Sequence, residues 1–227
     1  MWFALAALIQ FAMAFEVTSS EYADEIAWAQ MPIQWELDAS NAPVHLDEAT
    51  QHATIAAAFD TWTDISGTQV AFEDVTYDAN VNENVVYWEP NWTADPKMLA
   101  LTSTISTTSG VIIGFKIALN AQHPHWTVDS NEGMDLQNTL THEIGHVLGL
   151  DHTHESDEAT MYASAKEGER GKRDLHWDDK EGIRYLYPEQ MNSFLDDLAL
   201  SCSSSAAAPG VLMTLLPMVA LVRRRRA

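Results

Sequence analysis

Apolar positions recur along residues 30–190 with two periods, and the two predict different elements. Ile33-Gln34-Trp35-Glu36-Leu37 alternates apolar with polar, the period of a strand with one buried face. Residues 70–75, 85–88, 98–105 and 111–119 are rich in β-branched and apolar side chains and predict further strands. Residues 46–65 change to the helical period. Ile55, Phe59 and Trp62 share a face, Asp47 is placed to cap the start, and Gly67 to end it. A second helical stripe, Leu136, Leu140, Ile144, Val147 and Leu148, belongs to a helix that starts at Asn131 or Asp135. A third helix is predicted with Asp178 as its cap and Pro188 as its stop. Strands first and helices with loops afterwards make an α+β order, without internal repeats.

The second helix carries chemistry on the side away from its apolar stripe. Residues 142–152 read His142-Glu143-Ile144-Gly145-His146-Val147-Leu148-Gly149-Leu150-Asp151-His152, the elongated H-E-x-x-H-x-x-G-x-x-H pattern of zinc proteases. Residues four apart lie on one helix face, so His142 and His146 can address one ion. Glu143, a step of about 100° round the helix, stands beside the ion rather than on it. Gly149 can take positive φ and let the chain turn off the helix, so that His152 returns as a third nitrogen ligand. Three neutral imidazoles leave zinc a position for water, the arrangement of a catalytic rather than a structural site. His154, two residues on, is a rival third ligand, and the fixed spacing favours His152. Other histidines fit blander roles: His45, His52 and His176 at the surface or in local hydrogen bonds, His123 and His125 in a loop over the active site.

With Ala159-Thr160-Met161-Tyr162 nine residues downstream, the motif resembles the matrixin branch of the metzincins, the matrix-metalloprotease-like zinc endopeptidases. Asp151 before the third histidine is similar to that branch. So is the run Leu175-x-x-Asp178-Asp179-x-x-Gly182-Ile183-x-x-Leu186-Tyr187, which resembles its C-terminal helix. The likeness covers roughly residues 30–188. It implies a metzincin-type catalytic domain: a twisted, mostly parallel sheet with an edge strand, an active-site helix, a methionine turn and a C-terminal helix. It implies one catalytic Zn²⁺ on His142, His146 and His152, with Glu143 as general base for peptide hydrolysis. Gly149, Met161 and Tyr162 would support the site, Met161 as an apolar, polarisable floor beneath the metal. A protein or peptide substrate would lie extended along residues 98–105. Two features of animal matrixins do not carry over. Residues 92–116 contain no histidine for a structural zinc, and the single cysteine, Cys202, follows the catalytic region, so cysteine-type latency is not expected and activity should need no removal of an inhibitory segment.

Composition adds an address and a charge. The chain has 227 residues, 46% of them hydrophobic, enough for one domain with short appendages. Residues 1–14 are uncharged, almost wholly apolar and end in Ala12-Met13-Ala14, which reads as a signal peptide. Residues 15–190 form the catalytic domain, 191–205 a polar linker containing Cys202, and 206–227 an apolar segment closed by four arginines. That tail resembles myxo-type sorting signals; a simple membrane anchor is the alternative. Both readings place an exported protein at a cell surface or outside the cell. The net charge of −21 argues against nucleic acid and against charge-driven binding to anionic membranes. It is compatible with Ca²⁺ sites, which the sequence does not define. Lys166, Arg170, Lys172 and Arg173 follow the methionine turn as a basic rim that would favour acidic substrate segments. A monomer is expected. Two other functions fit the same metal motif: a surface adhesion module with vestigial activity, and a zinc amidase acting on cell-wall material.

Overall fold

The computed structural model describes residues 15–78 and 83–189. The segments expected to be a signal peptide, a linker with Cys202 and a C-terminal tail lie outside the described residues. The chain divides into units of residues 1–189 and 190–227, and everything below concerns the first. Among the described residues no helix is long and apolar enough to cross a membrane.

Among the described residues eight strands and three α-helices follow in the order β1 (Ala27–Trp28), β2 (Ile33–Asp38), α1 (Glu48–Thr63), β3 (Phe72–Asp74), β4 (Val85–Glu89), β5 (Ala100–Ser106), β6 (Val111–Asn120), β7 (Trp126–Thr127), β8 (Met134–Asp135), α2 (Leu136–Val147) and α3 (Trp177–Leu186). The main sheet runs β1-β6-β4-β2-β3 with every pair parallel, and β5 joins β6 antiparallel. This is the α+β arrangement with a mostly parallel sheet and an antiparallel edge strand. β7 and β8 make a separate two-residue parallel pair just before α2.

The elements form where the apolar spacing is regular. β6 is central, and its side chains are buried along most of its length, as expected for a strand covered on both faces. Asp47 caps α1, its carboxylate accepting from Thr50 N at 2.8 Å. Ile55, Phe59 and Trp62 then face inward, where Phe59 stacks on Trp35 of β2 with ring centroids 4.5 Å apart. Trp62 also reaches α2, donating from its indole to the Thr141 carbonyl at 3.0 Å. That bond satisfies a buried N–H and fixes α1 against the helix that carries the histidines.

Three readings of the sequence shift here. α1 is shorter at both ends than residues 46–65. α2 starts after Asp135 and not after Asn131, and Asp135 caps it by accepting from Asn138 N at 2.8 Å. The cap of α3 is His176 rather than Asp178; Asp179, at the third helical position, accepts from His176 N at 2.9 Å and closes a capping box. β1, β7 and β8 are too short to show a period at all.

Candidate active site

The end of α2 shapes the site. Leu148 is the C-cap, Gly149 N donates to His146 O at 3.0 Å, and Leu150 N donates to Gly145 O at 3.0 Å. This is a Schellman stop, which needs a left-handed residue after the cap. Gly149 supplies it with φ +89°, and a Cβ there would lie 2.2 Å from the Ile26 carbonyl oxygen. Only glycine meets both demands, so the chain can reverse immediately and bring His152 back over α2.

His142 Nε2 and His146 Nε2 each lie 3.2 Å from His152 Nε2. The opposite nitrogens are tied down: His142 Nδ1 donates to Thr160 O at 2.6 Å and His146 Nδ1 donates to Leu150 O at 2.8 Å. With the proton on Nδ1, the Nε2 atoms of His142 and His146 each present a lone pair, and both converge on His152 Nε2. That arrangement is unfavourable without a cation among them. Tetrahedral zinc with Zn–N bonds of about 2.0–2.1 Å needs nitrogens about 3.3 Å apart, so the spacing fits the ion. Among the described residues this trio is the group of metal-ligating side chains whose donor atoms converge, all within 4.8 Å of one another. His154 is exposed and outside it.

A cleft of about 560 Å³ runs past this trio, between residues 97–102 on one side and α2 with residues 163–165 on the other. Glu143 lies in its lining and is only 7% exposed. Thr102 of β5 donates its hydroxyl to Glu143 Oε2 at 2.6 Å. Burial pushes Glu143 above the ordinary carboxylate range, against the opposing effects of that hydrogen bond and of His152 and Lys172. A carboxylate whose proton affinity is raised in this way is better suited to accept a proton than an exposed glutamate.

The methionine turn is held from behind. Asp179, 1% exposed, accepts from Thr160 N at 2.8 Å and Met161 N at 3.0 Å. Thr160 then offers its carbonyl to His142, so α3 orients a histidine on α2 through the turn between them. Met161 packs under α2 where Gly145 leaves room: a Cβ at Gly145 would meet Met161 Sδ at 2.2 Å. The Tyr162 carbonyl accepts from the Lys172 ammonium.

Two expectations about charged groups are corrected. Arg170 and Arg173 do not form a substrate rim. Both bind the buried Asp135 carboxylate, at 3.2 and 2.5 Å, and so lock the loop after the methionine turn to the start of α2. His123 and His125 do not cover the cleft. They lie outside its lining, His123 against Trp126 and His125 3.9 Å from Glu167. His45 bonds the Trp126 carbonyl at 2.8 Å and His52 pairs with Asp74 at 2.8 Å.

Residues 27–188 match the family model described as Matrixin. The chain belongs to the matrixin family. Matrixins similar to it include Metalloendoproteinase 4-MMP of Arabidopsis thaliana, 39% identical over 37% of this chain and 26% of that protein. Metalloendoproteinase 1 of Glycine max is 30% identical over 63% of this chain and 47% of that protein. Matrilysin of Homo sapiens is 37% identical over 30% and 25% respectively. The matches thus span between about a quarter and a half of the relatives' own length. Against the matrixin motif, the sequence reading placed all three histidines, Glu143, Gly149 and Met161 in one site. It missed Thr102, Gly145 and Asp179 as parts of the same site, and had Lys172 only as one of four residues of a basic rim. Asp179 carried a signal, the paired aspartates at the start of α3; Thr102 and Lys172 carried none that separates them from neighbours.

Replacing Gly149 by Ala should cost more than about 2 kcal/mol, since the left-handed backbone and the Ile26 carbonyl both oppose a Cβ. For a chain of this size that is a fall in melting temperature of at least about 5 °C; an unchanged midpoint would remove the argument.

Burial, with a smaller contribution from Lys172, holds all three imidazoles below their ordinary value of 6.5, and at His146 it outweighs the Leu150 carbonyl and Asp151, which act the other way. The unfolded chain therefore takes up protons on these histidines before the folded one does. Their contribution to stability is complete above 6.5 and is lost as pH falls below it. Metal-free protein should melt at lower temperature at about pH 5 than at about pH 7, and zinc should dissociate over the same interval because protons compete for Nε2. A midpoint that is flat or higher at the lower pH contradicts this.

Proposed function

We propose that this chain is an exported zinc-dependent endopeptidase, with Glu143 as the general base and His142, His146 and His152 as the metal ligands. The observation that carries the reading is the placing of the Glu143 carboxylate in the cleft beside three converging imidazoles: His142 and His146 Nε2 each lie 3.2 Å from His152 Nε2, with their own Nδ1 atoms tied to backbone carbonyls. A zinc ion held by these imidazoles would polarise a scissile carbonyl and make water more acidic.

The chain's own residues account for the rest. Among the described residues β5 pairs on one side only, with β6, and residues 99–102 line the cleft. Leu101 and Ile105 stand exposed on this strand. An extended peptide can add to the free edge by backbone hydrogen bonds, which sets a peptide bond across the histidines and favours protein over cell-wall substrates. Thr102 holds the Glu143 carboxylate at the strand, facing that bond. Glu143 takes a proton from the attacking water and delivers it to the departing amine. The methionine turn and Asp179 keep His142 aligned meanwhile.

Purified protein should cleave casein, lose the activity to a chelator and regain it with zinc, with one zinc bound per chain. Glu143→Ala should keep the zinc and lose about three orders of magnitude or more in kcat/KM. A variant that cleaves as fast as the wild type would sink the assignment of the base, and wild-type protein inert toward protein substrates would favour the adhesion or amidase readings.

Export rests on the apolar residues 1–14 and on the apolar, arginine-ended tail from Cys202 onward. Intact mass of the protein from its native source should show the first 14 residues removed. A chain recovered from the cytoplasm with both Met1 and Arg226 present contradicts it.

A further inference from the structure

The chain has 33 Asp and Glu against 12 Lys and Arg, yet the cleft is not acidic. Glu143 is the one carboxylate among its lining residues, while Lys97 and Lys172 both belong to that lining. Lys97 is exposed at the mouth. Lys172 is different: it is 3% exposed, in the short 3₁₀ turn Gly171–Arg173. Its backbone N–H donates to Asn138 Oδ1 at 2.8 Å, which places it one helical turn along α2 from His142. Lys172 contributes to the field at Glu143 and at all three histidines.

Its ammonium has three donors, and the structure gives it one acceptor, the Tyr162 carbonyl. Among the described residues no carboxylate lies within ion-pair distance of it, whereas Arg170 and Arg173 on either side share Asp135. A buried cation with open donors is costly to leave unpaired. A cleft that keeps such a group beside its reactive centre is built for an incoming anion.

We infer that Lys172 is a specificity-determining residue, and that its ammonium receives the carboxylate of an Asp or Glu side chain next to the scissile bond of the substrate. The inference rests on the endopeptidase reading and names the substrate class of that same cleft. Recognition works in both directions. A carboxylate gains a charge-assisted hydrogen bond in a poorly hydrated recess. A leucine would cover the ammonium without pairing it, and a lysine would face it with like charge. The burial that lowers the ammonium's proton affinity is offset when the carboxylate arrives, because the pair favours the charged form of each.

The test is cleavage-site profiling of the zinc-loaded protein on a proteome-derived peptide library, followed by matched peptides with Glu or Gln at the enriched position. Wild type should show Asp and Glu enriched at one position flanking the cut, with kcat/KM for Glu exceeding that for Gln by about 10-fold or more. In Lys172→Met the ratio should fall to about one. Lys172→Arg should keep it above one, and Lys172→Glu should turn the enrichment toward Lys and Arg. A lysine that only braces the Tyr162 carbonyl would change total activity or stability and leave the Glu-to-Gln ratio where it was. Absence of acidic enrichment in the wild-type profile overturns the inference whatever the variants' stability, and so does an unaltered ratio in Lys172→Met. Wild-type protein that cleaves casein but prefers apolar residues there keeps the endopeptidase reading and loses this one; protein that cleaves neither casein nor any library member loses both.

Discussion

His142 Nε2 and His146 Nε2 each sit 3.2 Å from His152 Nε2, nitrogens that as neutral acceptors cannot satisfy one another, and much of this domain exists to keep them there. The constraint acts through backbone carbonyls. Thr160 and Leu150 accept the Nδ1 protons, so the nitrogens left facing inward are the ones able to bind a cation. Neither carbonyl is free to wander. Leu150 follows directly from the Schellman stop at Gly149, and Thr160 is pinned by the Asp179 carboxylate. A side chain at the start of α3 thereby sets the orientation of a side chain in the middle of α2, through one turn of irregular chain.

Burial has different consequences at different titratable groups in the same cleft. At the histidines it disfavours the charged form and leaves neutral imidazoles, which are what a metal requires. At Glu143 it raises the proton affinity of a carboxylate that the proposed mechanism has accept a proton and release it again. Asp135 is buried with two arginines paired to it, and the outcome is structural: the loop that walls the cleft is fastened to the N-terminus of α2. At Lys172 nothing within the described residues offsets burial fully. The contrast between Asp135, saturated by two cations, and Lys172, a cation beside a neutral carbonyl, separates a group that holds the fold from one available to a ligand.

Legibility in the sequence followed the range of the interaction concerned. The long periodic segments α1, α2, β2 and β6 were readable because each repeats its apolar spacing several times. The two-residue strands β1, β7 and β8 repeat nothing, and they form only because β6 and the β8–α2 junction offer partners. In the site, residues that act within one helix turn of the motif were readable: the His142 and His146 pair, Glu143, and Gly149 with its forced left-handed turn. Residues that act across the sheet or from another helix were not. Thr102 is 41 residues from Glu143, and in the sequence it is one threonine among several in a strand. Asp178 and Asp179 looked alike, and Asp178 was read as the cap where His176 caps the helix, because the sequence does not say which carboxylate turns back to close the capping box and face the methionine turn.

The basic rim shows the same limit from the other side. Lys166, Arg170, Lys172 and Arg173 form one cluster in sequence, and treating them as one surface patch averages over three distinct fates. Lys166 is exposed, the arginines are bound to Asp135 behind the cleft wall, and Lys172 alone among the four lines the cleft. Two residues of separation along an irregular turn are enough to point neighbouring cations at a buried carboxylate and at a substrate channel. The 3₁₀ turn Gly171–Arg173 makes that division, because its backbone is fixed at Lys172 by Asn138 and at Arg173 by a hydrogen bond to Arg170 O. Local charge density therefore says little about electrostatics at this site; the direction in which each side chain leaves the backbone decides it, and that direction is set by Asn138 of α2, the same helix that presents His142.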